Sequence, residues 1–399
     1  MMKIAKKIAS MKPSPTIGIS TLAQEMKRKG IDVINFSAGQ PDFHTPENIK
    51  EAGIQAIRDN HTKYTPAPGI PEIREAICRK FKKDNNLEYT PNQVIVSAGG
   101  KQSIYLSLQV LLEEGDEAII ISPYWVSYPP QVELTGAKPV IIDTTIEDDF
   151  KTSASEIEKY ITDKTQVLIL NSPSNPTGVL FTRKEIEEIA ELCVSKNIFV
   201  VSDEIYDRLT YENEEAVSIA SINDKIKDIT LTVNGASKSF SMTGWRVGYA
   251  AGPIEVVKGM TKLQSQLDTH CVSISQYATI EALENGEEAT KKMAESFDER
   301  RKFVINRLNG IEGVKTNIPK GAFYIFPQVS TYYGKKFNGT VIEDSVSFCK
   351  FMLEEMKIAI VPGSAFGNDK CLRLSYAASM ENLKNGLDRF EEGLKKLED

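Results

Sequence analysis

Lys238 lies in the run Gly235-Ala236-Ser237-Lys238-Ser239, and Arg246 follows eight residues later. A lysine amine can condense with an aldehyde to form a Schiff base, and small neighbours leave room for a bound molecule. Three other short stretches carry chemistry of a matching kind. Gly99-Gly100-Lys101-Gln102 places glycines before a helix, where exposed backbone N–H groups suit a phosphate. It is neither GxxxxGK[ST] nor GxGxxG, and a plain tight turn is the other reading. In Asn171-Ser172-Pro173-Ser174-Asn175-Pro176-Thr177-Gly178, two prolines bracket Asn175. That amide either shapes the turn or faces a ligand. Asp203-Glu204-Ile205-Tyr206 ends an apolar run with an acid, which is costly unless it meets a cation or donors. Glu204 reads as an exposed helix cap.

The elements that must position these residues are legible as apolar runs. QVIVSA (93–98), EAIIIS (117–122), KPVIID (138–143), QVLILN (166–171), IFVVSD (198–203), ITLTVN (229–234) and RVGYAA (246–251) read as strands buried on both faces. Between two of them, Ile186, Ile189, Ala190, Cys193 and Val194 recur at helical spacing over 183–196. The pattern predicts an α/β large domain with a mostly parallel seven-stranded sheet between helices. The last 120 residues carry charged helices near 288–309, 344–357 and 380–397, with AFYIFP, IAIVP and CLRLSY among them. These predict a smaller α/β domain joined by the N-terminus. The expected division is 41–285 for the large domain and 1–40 with 286–399 for the small one.

Composition narrows the function classes. The 399 residues are 41% hydrophobic and 26% charged, an ordinary globular balance, and the net charge of −7 argues against a dedicated nucleic-acid binder. Cys78, Cys193, Cys271, Cys349 and Cys371 are scattered without a CxxC pair, which fits a reducing compartment. His44, His61 and His270 form no metal-ligand spacing, and G-x-S-x-G does not occur. The basic N-terminus lacks the apolar core of a signal peptide, and no window suits a membrane span. A cytoplasmic protein is expected.

In open α/β sheets, ligands bind beyond the carboxyl ends of the strands. The four stretches all follow predicted strands, so they converge on one ligand. Anion-binding N–H groups, a fixed amide, a buried acid, a phenol, a lysine and an arginine together suit pyridoxal 5'-phosphate. Here the chain resembles the class I, fold-type I pyridoxal-phosphate-dependent aminotransferases, in particular their bacterial and archaeal aspartate aminotransferase branch. The attachment pattern of that class is matched by Gly235-Ala236-Ser237-Lys238, Ser241-Met242, Gly244 and Arg246-Val247-Gly248. The resemblance extends through SAGQPDF (37–43), KYTPAPGIPEIREAI (63–77), SPYWVSYP (122–129), NSPSNPTG, SDEIYD, GAFY (321–324), VPGSAFG (361–367) and RLSYA (373–377).

The resemblance implies roles. Lys238 would hold the cofactor as a Schiff base and later move the proton between Cα and C4', which requires a depressed pKa. Asp203 would face the pyridinium nitrogen, and Tyr206 and Asn175 the phenolic oxygen. Trp125 would stack on the ring. Gly100, Lys101, Ser237 and Arg246 would hold the phosphate. Tyr64 would reach a phosphate in the neighbouring subunit of a homodimer with shared sites. Arg373 would fork onto the substrate α-carboxylate, and Gly39 would let its backbone approach the same substrate. Taken singly, Trp125 reads as a core or cleft aromatic and Arg373 as a surface ion-pair residue.

Two features imply an acidic substrate. Lys101 matches a lysine that meets the distal carboxylate in relatives acting on aspartate, although it could instead accompany the phosphate. Ser14-Pro15-Thr16 matches a segment that closes over the substrate. One stretch departs from the family: Gln264-Ser265-Gln266-Leu267-Asp268-Thr269-His270-Cys271 replaces a small, Ser/Thr-rich run. Asp268 would repel an acidic substrate and favour a different amino acid if it faced the pocket, and would change nothing if it faced away. The expected activity is transfer of an amino group from aspartate to 2-oxoglutarate, ping-pong, through pyridoxamine phosphate. The alternatives are an aromatic or broad-range aminotransferase, including one acting on prephenate, and a β-lyase on the same fold.

Overall fold

The computed structural model describes residues 4–9, 11 and 15–399. Its centre is a seven-stranded sheet: β1 (Val94–Ser97), β2 (Glu117–Ser122), β3 (Lys138–Asp143), β4 (Thr165–Asn171), β5 (Phe199–Asp203), β6 (Thr230–Gly235) and β7 (Gly248–Ala251). The spatial order is β1-β7-β6-β5-β4-β2-β3. All neighbours run parallel except β7, which is antiparallel to both β1 and β6. Each strand falls within two residues of an apolar run named above. The last begins later than expected because Arg246 takes a left-handed conformation (φ 57°) that ends the preceding turn.

Consecutive strand residues point to opposite faces, which is why the runs are apolar throughout. Ile120, Val201 and Val233 pack with Ile104 of α1 (Gly100–Leu111) on one side. Ile119, Leu168 and Val200 pack with Ile186, Ile189 and Cys193 of α2 (Arg183–Lys196) on the other. Helix α2 is delimited by its own sequence. Thr182 Oγ accepts the Glu185 N–H and Glu185 returns by accepting the Thr182 N–H, while Asn197 closes the C-terminus in the left-handed region. Met260 of α3 (Ile254–Leu267) packs on the α1 side.

A second core gathers Phe297, Val304, Leu308, Phe348, Leu387 and Phe390 from the C-terminal helices. Residues 34–35 pair in parallel with 358–359, so the two ends of the chain share this core. Tyr206, Leu209 and Tyr211 insert into it from the turn after β5. No helix among the described residues is long and apolar enough to cross a membrane.

Candidate active site

Beyond the carboxyl ends of the strands lies a cavity of about 500 Å³, within the range of small-molecule sites. Gly39, Gly100, Lys101, Trp125, Asn175, Asp203, Tyr206, Ser237, Lys238, Arg246 and Arg373 all line it. Among the residues to which the resemblance gives a cofactor or substrate role, Tyr64 alone does not. It is 88% exposed, with its ring edge-on to His270 at 5.7 Å.

One end of the cavity is built by the turn into α1. Gly99 has φ +92°, and a Cβ there would strike the Arg246 guanidinium at 2.4 Å. A Cβ on Gly248 would lie 2.1 Å from the Gly100 nitrogen. Glycine at these two positions lets β7 lie directly against the N-terminus of α1, whose first N–H groups have no partner within the helix. Arg246 is held by donating to the carbonyls of Thr243 (2.9 Å) and Ala98 (3.0 Å). Ser237 and the Lys238 amine come from the short helical turn after β6. This end presents N–H groups, a hydroxyl and a guanidinium, a donor set that fits a phosphate.

The floor is set by sheet register. Asn171 at the end of β4 stands beside Asp203 at the end of β5. Its amide donates to the Asp203 carbonyl at 2.9 Å, and its oxygen accepts the Asn175 N–H at 2.9 Å. The Asp203 carboxylate accepts from Tyr128 Oη at 2.6 Å and from the Ile205 N–H at 3.3 Å. Burial pushes this carboxyl up, opposed by those donors and by the Lys238 charge. A cation delivered to the cavity side would oppose it further, so the group fits a pyridinium partner.

Lys238 Nζ donates to the Gly39 carbonyl at 2.5 Å. Its pKa is pushed down to about 8, first by burial, then by Arg373 and Arg246, with Asp203 pulling the other way. Such a lysine holds a usable fraction of neutral amine near neutrality. Arg373 is buried. It donates to Asn175 Oδ1 at 3.1 Å and to the Ser37 carbonyl at 2.7 Å, leaving Nε without a partner among the described residues. Lys101 Nζ lies 5.0 Å over the Trp125 ring, and burial lowers its pKa, with Arg246 adding to the effect.

Some features differ from the readings taken singly, and one open alternative is decided. Glu204 is no exposed cap: it is 3% exposed, accepting from Ser202 (2.8 Å), Ser218 (2.6 Å) and Asn85 (3.1 Å) on the side of the turn away from the cavity. Desolvation raises its pKa to about 7. Arg373 is no surface ion-pair residue. Asp268 does not line the cavity. It caps α3 and accepts from Gln102 Nε2 at 2.6 Å, while Gln102 Oε1 accepts the Ala98 N–H. Of Ser14-Pro15-Thr16, Ser14 and the side chains of Pro15 and Thr16 lie outside the described residues; Ser20, Thr21 and Gln24 of the same helix line the cavity. The sequence reading also passed over Tyr128, Asn171 and Tyr324. Asn171 was detectable as the last residue of a buried strand, level with Asp203. Tyr128 lies six residues beyond β2 with no periodic cue.

The family model for aminotransferase class I and II matches residues 31–390. An aspartate aminotransferase of Bacillus sp. (strain YM-2) is 44% identical, covering 98% of this chain and 99% of that protein. A probable aspartate/prephenate aminotransferase of Aquifex aeolicus is also 44% identical, with 99% of each covered. The crystal structure of the aspartate aminotransferase from Rhizobium meliloti aligns over all of both chains with a TM-score of 0.95 at 38% identity. That of the Thermus thermophilus aspartate aminotransferase with maleate aligns at 0.93 and 40%, over 98% of this chain and all of the other. The chain belongs to the class I and II aminotransferase family and is a pyridoxal-phosphate-dependent aminotransferase.

Proposed function

We propose, from this membership, that the enzyme transfers the amino group of L-aspartate to 2-oxoglutarate. The observation that carries the choice of a dicarboxylate is the charge of the cavity. Four cations line it (Lys101, Lys238, Arg246 and Arg373) against the single carboxylate of Asp203. Among the described residues, neither Lys101 nor Arg373 is engaged in an ion pair. A phosphate at Arg246 and the start of α1 leaves two cations for two substrate carboxylates.

Pyridoxal 5'-phosphate, when bound, supplies an aldehyde and a ring that accepts electrons from the substrate Cα. The chain's residues do the rest. Arg373 takes the α-carboxylate, with its unpartnered Nε available for the second bond of a fork. Lys101 meets the distal carboxylate from its place over Trp125, and Trp125 flanks the cofactor ring. Asp203 holds a proton at the ring nitrogen, with Tyr128 fixing the carboxylate. Tyr206 and Asn175 hold the phenolic oxygen. Lys238, freed as an amine, would take the Cα proton and deliver it to C4' of the cofactor, and its pKa near 8 suits both directions. Gly39 lets its backbone approach the substrate. Both amino and oxo acids need Arg373, so they bind in turn, which makes the kinetics ping-pong.

Tyr64 reaches the phosphate of a second copy, making the unit a homodimer, and the enzyme works in the cytoplasm. Residues 41–285 form the cofactor domain, and 1–40 with 286–399 the domain that carries Arg373. Half-reaction spectra test the reading: aspartate converts the visible absorbance of the holoenzyme, and tyrosine and alanine do so far more slowly. Conversion by tyrosine without aspartate overturns it. The relatives named aspartate/prephenate aminotransferase favour a second reading, since prephenate also carries two carboxylates. Prephenate consumption with aspartate as donor decides it.

A further inference from the structure

Tyr324 joins two parts of the cavity that the sequence treats as separate. It lies on the short strand Tyr324–Ile325, which pairs antiparallel with Leu372–Ser375 so that Tyr324 stands opposite Ser375. Arg373 is two residues from Ser375 and shares its face, which puts it diagonally within reach of the Tyr324 ring. The Arg373 guanidinium carbon lies 4.6 Å from that ring's centroid. At the other end of the same side chain, Tyr324 Oη is 3.0 Å from Tyr206 Oη. Both tyrosines are buried, and their rings meet edge-on at 5.9 Å. Gly39 lies on the remaining side, where a Cβ would just touch Tyr324 Oη at 3.4 Å.

Two hydroxyls in contact have one shared proton between them, so one donates and the other accepts. We infer that Tyr324 is the donor and Tyr206 the acceptor, which commits the Tyr206 proton to the phenolic oxygen of the cofactor while the Tyr324 ring backs the guanidinium of Arg373. Tyr324 is thus a positioning residue for the ring oxygen through Tyr206 and for the substrate carboxylate through Arg373. This rests on the cofactor placement proposed above. The charged groups facing the hydroxyl pair are Arg373 from the antiparallel strand, Asp203 from the end of β5 and Lys238 from the turn after β6. All three remain in a Tyr324→Phe variant, so only the hydroxyl's contribution changes.

A donor to Tyr206 makes its own proton more acidic, which strengthens the bond to a cofactor phenolate. Losing it favours protonation of the bound cofactor. In Tyr324→Phe holoenzyme, the midpoint of the pH-dependent visible absorbance should rise by about half to one pH unit. Maleate, an unreactive dicarboxylate, should bind within about twofold of wild type, because phenylalanine keeps the ring under Arg373. In Tyr324→Leu, which loses the ring as well, maleate should bind about three- to tenfold more weakly. A Tyr324→Phe midpoint equal to that of wild type, or a lower one, overturns the assignment. So does maleate affinity that is unchanged in Tyr324→Leu. A wild-type protein with no visible absorbance after cofactor addition instead sinks the cofactor placement itself, and the two failures are told apart in the same cuvette.

Discussion

On the floor of the cavity, Asp203, Tyr206 and Asn175 are buried, and each side chain holds a partner: Tyr128, Tyr324 and Arg373 respectively. On the rim, Tyr64 and Asp268 stand in solvent, held by a ring edge and one glutamine, and Lys101 reaches into the cavity from the start of α1 over a ring face. The floor follows from strand register, which places the ends of β4 and β5 side by side whatever ligand is present. The rim follows from loops and from a surface that a single chain leaves open. On the proposed function, chemistry that must be exact to a fraction of an ångström would sit on the first, and choice among substrates on the second.

Four changes would break or sharpen that contrast. Lys238→Ala carries the largest effect: transamination should fall by at least about 10²- to 10⁴-fold and the visible absorbance should vanish. The wild-type amine adds a pH signature. With its pKa near 8, it is about half neutral at pH 8, where an ordinary lysine is under about 1% neutral. Cofactor capture by apoprotein should therefore speed up through pH 8 and level off above it. A midpoint above pH 10 would mean that the lysine is not depressed.

Asp203→Asn comes next. It keeps shape and the contact to Tyr128 but removes the charge, so cofactor affinity should drop by about 10- to 100-fold in a titration of apoprotein. The apo variant should melt no lower than wild type, because burial already works against this charge in the empty site. Lys101→Met, on the rim, should raise KM for aspartate about tenfold and leave tyrosine within about twofold. If it abolishes cofactor binding instead, Lys101 belongs with the phosphate and the rim is not where acidic substrates are chosen. Asp268→Thr should change kcat/KM for aspartate by less than about threefold, since its bond to Gln102 is exposed. A tenfold gain would show that Asp268 does repel the substrate.

The same division explains what the sequence revealed. Strands buried on both faces announce themselves as apolar runs, and their ends name Asp203, Asn175 and the Gly99-Gly100 turn without any knowledge of the ligand. Trp125 needed family resemblance because a lone aromatic carries no local cue, and Arg373 and Tyr64 because their neighbours in space are remote in sequence: Arg373 lies 198 positions from Asn175 and 336 from Ser37. Glu204 escapes a local reading for a related reason. Its partners Asn85 and Ser218 come from a helix end and a loop, and no local pattern around SDEIYD shows that they bury it. Asp268 is turned aside by Gln102, which lies 166 positions away and leaves no local cue.

Strands β6 and β7 form an antiparallel pair in which Gly235 stands opposite Gly248, and the connection between them carries both Lys238 and Arg246. The two ends of the proposed ligand are therefore anchored to one loop whose mouth is clamped by sheet hydrogen bonds and by Gly248 against Gly100. Such a loop works as a gauge of fixed length. Inserting one residue between Lys238 and Arg246 would shift one anchor by up to about 3.5 Å, more than a hydrogen bond can follow. Length variation over the course of evolution should be excluded from 239–245 and tolerated in the exposed turns near 213–215 and 338–339.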